Sequence, residues 1–260
     1  MPRFAANLFM LWPELDVYDR FGAAAAAGFT RVETLFVHTL DVARVKARLV
    51  EYGLELVLFD PYPGDWDAGE RGLLGLPGRE AEFLDAVLGG IRHAELLGTR
   101  RLNVLAGIRP AHVSPAAAFD TAVTNLRAAA PRAEAAGVSL LIENLNPIDF
   151  PGYLADSAER AAALVSAVAH PSVRLQLDQY HVGMTGGDAP AAARQYAALL
   201  GHVQIADVPG RHEPGTGTQP IAAFLSALDE SGYEGQVGLE YRPATTTQAA
   251  LEWLPRAARS

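Results

Sequence analysis

Strand-like and helix-like segments alternate eight times along the 260 residues of this chain, and that rhythm leaves few folds open to it. The strand candidates are Phe4–Phe9, Arg31–Phe36, Glu55–Phe59, Arg101–Leu105, Val138–Glu143, Val173–Asp178, His202–Asp207 and Gln236–Tyr241. Several are nearly continuous apolar runs, as expected of parallel strands buried on both faces. Helical patterns lie between them at Leu15–Ala27, Asp41–Tyr52, Arg79–Leu97, Pro115–Ala136, Ser157–Val168, Ala189–Leu200, Ile221–Glu230 and Thr246–Leu254. Gly28, Gly53, Gly98, Gly137 and Gly232 each follow a helix, where a left-handed cap favours glycine, and Ser114-Pro115 reads as an N-cap with proline in the first turn. No linker or composition shift divides the chain. Eight βα units therefore predict one domain over residues 1–260, an α/β protein folded as a single (β/α)8 TIM barrel, which typically uses about 250 residues. A doubly wound open sheet is the alternative, but no glycine-rich phosphate loop follows the first strand.

The last four strands each end on an oxygen donor: Leu140-Leu141-Ile142-Glu143, Val173 to Asp178, His202-Val203-Gln204 and Val237-Gly238-Leu239-Glu240. The donors are separated by 35, 26 and 36 residues, each about one strand, one helix and their loops. Such spacing sets successive strand ends side by side on the C-terminal face of the barrel, where barrel enzymes build their sites. A single carboxylate at a strand end is commonly solvated or paired with a base. Four donors at equivalent ends point to a metal site formed by Glu143, Asp178, Gln204 and Glu240. An all-oxygen set suits Mg²⁺ or Mn²⁺ better than Zn²⁺, and four ligands leave about two octahedral positions for water or substrate.

Other residues follow from that placement. His181, three residues past Asp178, is expected on a loop, leaning over the site to bind substrate or orient a ligand. Arg211, in the loop after the seventh strand, can clamp a substrate carboxylate. Two long connections, Asp60 to Gly78 and Asn144 to Asp156, are candidate lids; Trp66 on the first and Asp149 on the second complete the substrate-binding candidates. Phe9, Trp12 and Phe59, with Trp66, either narrow the pocket toward a short substrate or belong to the core. His202, opening its strand, is expected at the far end of the barrel in a structural role. His38, His93, His112 and His170 have no matching partners.

With no cysteine, disulfides and thiolate metal sites are excluded. Twenty-one basic residues against 30 acidic ones, net −9, argue against nucleic acid, which is bound largely by neutralising phosphates. The alanine-rich stretches are too short to span a bilayer. No signal peptide is visible before the first strand, so a cytoplasmic enzyme is expected, with no membrane partner. Exposed barrel helices allow a homo-oligomer, although no segment marks an interface.

With these strands in place, the chain resembles the hydroxypyruvate isomerases of the xylose-isomerase-like barrel superfamily, nearly end to end. The resemblance is carried by Arg3 to Leu8, by Gly64-Asp65-Trp66 running on to Gly72, and by Pro77-Gly78-Arg79-Glu80. His202-Val203-Gln204-Ile205-Ala206-Asp207 and Glu213-Pro214-Gly215-Thr216-Gly217 add to it. It implies that Glu143, Asp178, Gln204 and Glu240 hold the metal and that Glu143 and Glu240 are also the acid/base pair. The implied reaction interconverts hydroxypyruvate and tartronate semialdehyde; a 2-oxo-tetronate isomerase or a keto-sugar 3-epimerase of the same superfamily is the alternative. The substrate is in either case a small hydroxy-keto acid or short sugar acid. Three places depart from the family pattern and are expected to line the pocket: Phe59-Asp60 for His-Asn, Asn144-Leu145 for Pro-Ile, and Thr218 for Glu.

Overall fold

A computed structural model describes residues 3–260; residues 1 and 2, included in the single-domain expectation, lie outside the described residues. Eight parallel strands form the sheet: β1 Arg3–Asn7, β2 Arg31–Glu33, β3 Glu55–Leu58, β4 Arg101–Asn103, β5 Ser139–Glu143, β6 Val173–Asp178, β7 Leu200–Ile205 and β8 Gln236–Leu239. Their order is β3-β2-β1-β8-β7-β6-β5-β4. A single bridge between Phe59 and Leu102 joins the two outer strands and closes the ring. The helices are α1 Asp19–Ala26, α2 Val42–Tyr52, α3 Glu80–Leu97, α4 Pro115–Ala135, α5 Ala158–Val168, α6 Gln179–Met184, α7 Ala189–Gln195, α8 Ile221–Glu230 and α9 Thr247–Ala250. This is the (β/α)8 barrel that the alternation predicts. Among the described residues no helix is long and apolar enough to cross a membrane.

The main core lies between strands and helices, where Phe21, Val45, Phe83, Leu126 and Phe224 are buried. Helix ends follow local chemistry. Asp41 Oδ1 accepts from the N–H groups of Ala43 and Arg44 at the start of α2, and Ser114 accepts from Ala117 at the start of α4. Most strands are shorter than their apolar runs. Leu8, Phe59 and Leu105 are buried just past the ends of β1, β3 and β4, because hydrophobicity reports burial rather than strand length. Helix α7 also stops early, and a 3₁₀ turn over Ala197–Leu199 leads into β7. That strand starts two residues before the expected one. His202 therefore lies inside the barrel, wholly buried, and not at its far end.

Alternate strand residues point inward. Ala5 and Leu141 form a small apolar cluster with Val57 and Leu58, separate from the main core. Two residues further along β1 and β5 come Asn7 and Glu143, and with them Glu33, Asn103, Gln176 and His202 are all buried. A polar layer thus replaces the branched aliphatic residues that usually fill a barrel of this kind. Gly238 makes room for it, since a Cβ there would run into the Glu33 carboxylate.

The connection from Asp60 to Gly78 is fastened over the C-terminal face. Glu70 accepts from Asp65 N at 2.6 Å and pairs with Arg79. Gly72, at φ 119°, lies so close to Leu105 O that no side chain fits. This fixes Trp66 and Arg71, whose guanidinium carbon sits 3.8 Å from the Trp66 ring centroid.

Candidate active site

The four expected ligands come together. Glu143 and Asp178 end β5 and β6, Gln204 is the penultimate residue of β7, and Glu240 follows β8 directly. All four are buried. Glu143, Gln204 and Glu240 line a cavity with Asn103, Arg71 and Arg242, about 710 Å³ with its open mouth included. Asp178 reaches the same centre through Arg211, whose guanidinium lies 3.1 Å from Asp178 Oδ2 and 3.0 Å from Glu240 Oε2. Asn144 clips the strand ends together: its Nδ2 donates to Asp178 O and its Oδ1 accepts from Asp178 N, each at 3.1 Å. Proline at this position could not make that pair.

Crowding carboxylates in a buried site favours protons or cations. Burial, then the charge of Asp178, pushes the Glu143 carboxyl up to about 8. Burial likewise raises Asp178, and raises Glu240 well above the usual range, against the opposing pull of Arg211. The donor set fits a hard divalent cation, because three buried carboxylates share one guanidinium. Glu143, Asp178 and His181 also present ligand atoms within 4.8 Å of one another, a cluster that can hold a metal ion.

His181 differs from its expected place on a loop, since it sits in the short helix α6 and is buried. Its Nδ1 accepts from Asn146 N at 3.1 Å, so the ring proton belongs on Nε2. That Nε2 has no hydrogen-bond partner and faces Asp178 Oδ2 at 3.5 Å. Burial, then Arg211, holds the ring well below its ordinary pKa and therefore neutral. In this tautomer His181 offers the site a donor N–H, and to serve as a ligand in that cluster it would first have to give up the Nε2 proton.

Beneath the centre is a network that sequence reasoning missed. Glu33 Oε1 accepts from Asn7 Nδ2 and Gln204 Nε2, both at 2.9 Å, and Glu33 Oε2 lies 2.7 Å from His202 Nε2. Gln204 Oε1 accepts from Gln176 Nε2 at 2.6 Å, and Asn103 Nδ2 donates to Glu143 Oε2 at 2.7 Å. Glu33 thereby fixes which end of the Gln204 amide is the donor, a typical task for groups behind a metal site. Glu33 and Asn103 end strands as the expected ligands do; strand-end position was the signal that could have found them.

Arg211 has φ 56°, a left-handed backbone that a residue with a side chain adopts at a cost of about 1–2 kcal/mol. The Asp207 carboxylate organises the loop that holds it, accepting from the N–H groups of Val208, Gly215, Gly217 and Gln219, each at 2.9 Å. Burial raises this carboxyl, but the four donors outweigh burial and hold it below its usual value. Asp207→Ala strands these donors, and chemical denaturation is expected to show a loss of about 2–4 kcal/mol.

The remaining expectations divide. Trp66 and Phe9 line the cavity. Trp12 and Phe59 instead belong to the core. Asp149 is exposed and outside the cavity wall, and its Oδ2 accepts from Tyr180 OH at 3.0 Å and Asn146 Nδ2 at 2.9 Å. Thr218 is exposed and closes the Asp207 loop by donating its N–H to Val208 O, so it does not line the pocket.

Residues 21–257 match the family described as the xylose isomerase-like TIM barrel. The chain is 43% identical to a 2-oxo-tetronate isomerase of Cupriavidus necator and 41% identical to a hydroxypyruvate isomerase of Escherichia coli. Each alignment covers 98% of both proteins. A crystal structure from Brucella melitensis described as an AP endonuclease of family 2 superposes with a TM-score of 0.94 at 40% identity, covering 97% of this chain and 98% of that one. A 3-keto-D-glucoside 4-epimerase of E. coli, 21% identical with a TM-score of 0.81, shares the fold. With eight parallel strands, a carboxylate centre at their C-terminal ends and relatives matched along nearly their whole length, the chain belongs to the xylose isomerase-like TIM barrel family, in its branch of hydroxypyruvate and 2-oxo-tetronate isomerases.

Proposed function

We propose that this enzyme is a metal-dependent aldose–ketose isomerase interconverting hydroxypyruvate and tartronate semialdehyde (2-hydroxy-3-oxopropanoate). The observation that carries the reading is the meeting of three buried carboxylates, Glu143, Asp178 and Glu240, at a cavity lined by Arg71 and Arg242. The name of the E. coli relative supports it. Glu143, Asp178, Gln204 and Glu240 would hold Mg²⁺ or Mn²⁺. Such an ion, when bound, supplies the Lewis-acid charge that a developing enediolate needs.

The chain's own residues handle protons and position. A proton leaves C3 of hydroxypyruvate, its electron pair forms the C2–C3 double bond, and the carbonyl pair moves to the C2 oxygen. A proton then returns at C2, taking up the pair of the C2–C3 double bond, while the C3 hydroxyl passes its proton to the C2 oxygen and becomes the aldehyde. Glu143 and Glu240 are the acid/base pair, one removing the carbon-bound proton and the other returning one to the neighbouring carbon. A carboxyl raised to about 8 suits proton transfer near neutral pH. Asn103 holds Glu143 Oε2, which leaves Oε1 for exchange. Arg211 and the His181 Nε2–H orient the substrate carboxylate and hydroxyls, Trp66 shields the cavity from water, and Asp149 acts through Tyr180. The electrons stay within one molecule, so the reaction needs no redox cofactor.

A four-carbon 2-oxo-tetronate is the second reading, favoured by the name of the C. necator relative. ¹H NMR in D₂O tests both, with metal-loaded and stripped enzyme side by side. Metal-dependent appearance of tartronate semialdehyde is expected. Turnover of the four-carbon acid alone moves the assignment to the second reading, and exchange of neither substrate's α-proton defeats both.

A further inference from the structure

An acid that enters this cavity brings a further carboxylate to a centre that already holds those of Glu143, Asp178 and Glu240. Arg211, which helps to orient it, already shares its guanidinium between Asp178 and Glu240, at 3.1 and 3.0 Å. The long loop after β3 supplies a second guanidinium. Arg71 lines the same cavity as Glu143 and Glu240, and among the described residues it pairs with no carboxylate. The carboxylate of Glu70, its neighbour in the chain, is taken by Arg79. Arg71 Nη1 donates instead to two backbone oxygens, Trp66 O at 2.9 Å and Glu70 O at 2.7 Å. With the Trp66 ring centroid 3.8 Å from its guanidinium carbon, ring and carbonyls together fix the plane of the group. The loop is fastened next to it, where Gly72 N donates to Pro63 O at 2.9 Å. Among the described residues Arg71 Nε and Nη2 have no partner, and neither is sealed in the interior. That edge can meet a carboxylate in two parallel bonds. Arg242 also lines the cavity, but it is exposed and among the described residues no hydrogen bond holds its guanidinium. Binding through Arg242 would have to order that side chain first.

We propose that Arg71 binds the substrate carboxylate and makes the site specific for acids over uncharged hydroxy-ketones. A guanidinium held in place beforehand loses little freedom on binding. Met10, Leu105, Leu145 and Phe150 line the same cavity, and apolar surroundings strengthen a charge-assisted hydrogen bond. In both readings of the substrate, three carbons or four, the carboxylate is attached to the 2-oxo carbon, so one residue serves either acid. The inference deepens the isomerase reading, and its kinetic arm rests on that reading; its binding arm does not.

Two small molecules separate this role from a purely structural one. D-glycerate keeps the carboxylate of hydroxypyruvate but has no carbonyl to react, whereas dihydroxyacetone carries a CH₂OH group where the carboxylate was. Calorimetry of the full-length protein with Mg²⁺ is expected to show D-glycerate binding weakened about 30-fold or more in Arg71→Met, and less in Arg71→Lys. In turnover, Arg71→Met is expected to lose about 100-fold in kcat/KM on the acid substrate, mostly through KM, and under about fivefold on dihydroxyacetone. A residue that only held Trp66 in place would damage both substrates alike, and that result overturns the proposal. Unchanged D-glycerate binding in Arg71→Met overturns it too, because the metal or Arg211 would then hold the carboxylate. So does a loss confined to Arg242→Met, or a wild type that binds no D-glycerate. If the wild type turns over neither acid, the isomerase reading fails, while the D-glycerate comparison still decides the role of Arg71.

Discussion

Glu143→Gln and Glu240→Gln are each expected to lower kcat by about 10²–10⁴-fold, the contribution of a positioned acid or base. The amide keeps the size and one oxygen of the carboxylate but cannot take a proton from carbon. In Glu143→Gln the oxygen can still accept from Asn103 Nδ2, which now sits 2.7 Å from Oε2. The fold should survive both changes, because each removes a charge from a centre where burial and neighbouring carboxylates already favour the neutral form. Melting temperatures at or above wild type, together with lost turnover, would place the defect in the chemistry. Single-turnover transfer of deuterium from C3 to solvent is the sharper assay. If one variant still exchanges the substrate proton while failing to form product, the intact glutamate is the first base. Substantial turnover in both variants would sink the acid/base assignment.

Stripping divalent ions is expected to cost about 10³-fold or more in activity, restored by Mg²⁺ or Mn²⁺, since Lewis-acid stabilisation is worth several kcal/mol. The same centre gives a readout independent of turnover. The Glu143 carboxyl is raised from 4.5 to about 8 in the folded, metal-free chain, and Asp178 and Glu240 move in the same direction. A raised carboxyl means that the folded state holds protons the unfolded state has released. Its stabilising contribution is therefore complete below the unfolded value of 4.5 and is lost as pH rises through about 8. The melting temperature of the stripped protein should fall from about pH 5 to about pH 8. A bound cation replaces those protons, so the gain in melting temperature on adding Mg²⁺ should widen over the same interval. A gain that stays flat or shrinks with pH would mean that the ion does not bind at these carboxylates.

Arg211 bears on both experiments, because its guanidinium now bridges Asp178 and Glu240. Cation–π contact with Tyr180, at 4.7 Å from the ring centroid, holds that guanidinium at the same time. Tyr180 is tied in turn to Asp149 on the second long loop, which gives this exposed carboxylate an indirect route to the centre.

The barrel and its four oxygen donors were legible in the linear sequence because each rests on a short-range regularity. Apolar runs mark strands, periodic patterns mark helices, and one donor per βα unit repeats with the length of the unit. Those signals act over a few residues, so they survive without any knowledge of packing. The same local signals misplaced His202 by two residues of strand and left His181 on a loop, because a helix as short as Gln179–Met184 has too few turns to show a period.

The rest depends on pairings between distant segments. Glu33 meets His202 and Gln204 across 169 and 171 residues, and Asn103 meets Glu143 across 40. Those meetings follow from the stagger of the strands, which pairs Glu143 with Gln176 and Asp178 with Gln204, and from the closing of β3 on β4. Register and closure are properties of the whole ring, with no counterpart in any single stretch of chain. Sequence could therefore name the oxygen donors that meet at the strand ends. Only the folded barrel determines which oxygen each one presents, which proton it keeps, and which neighbour holds it there.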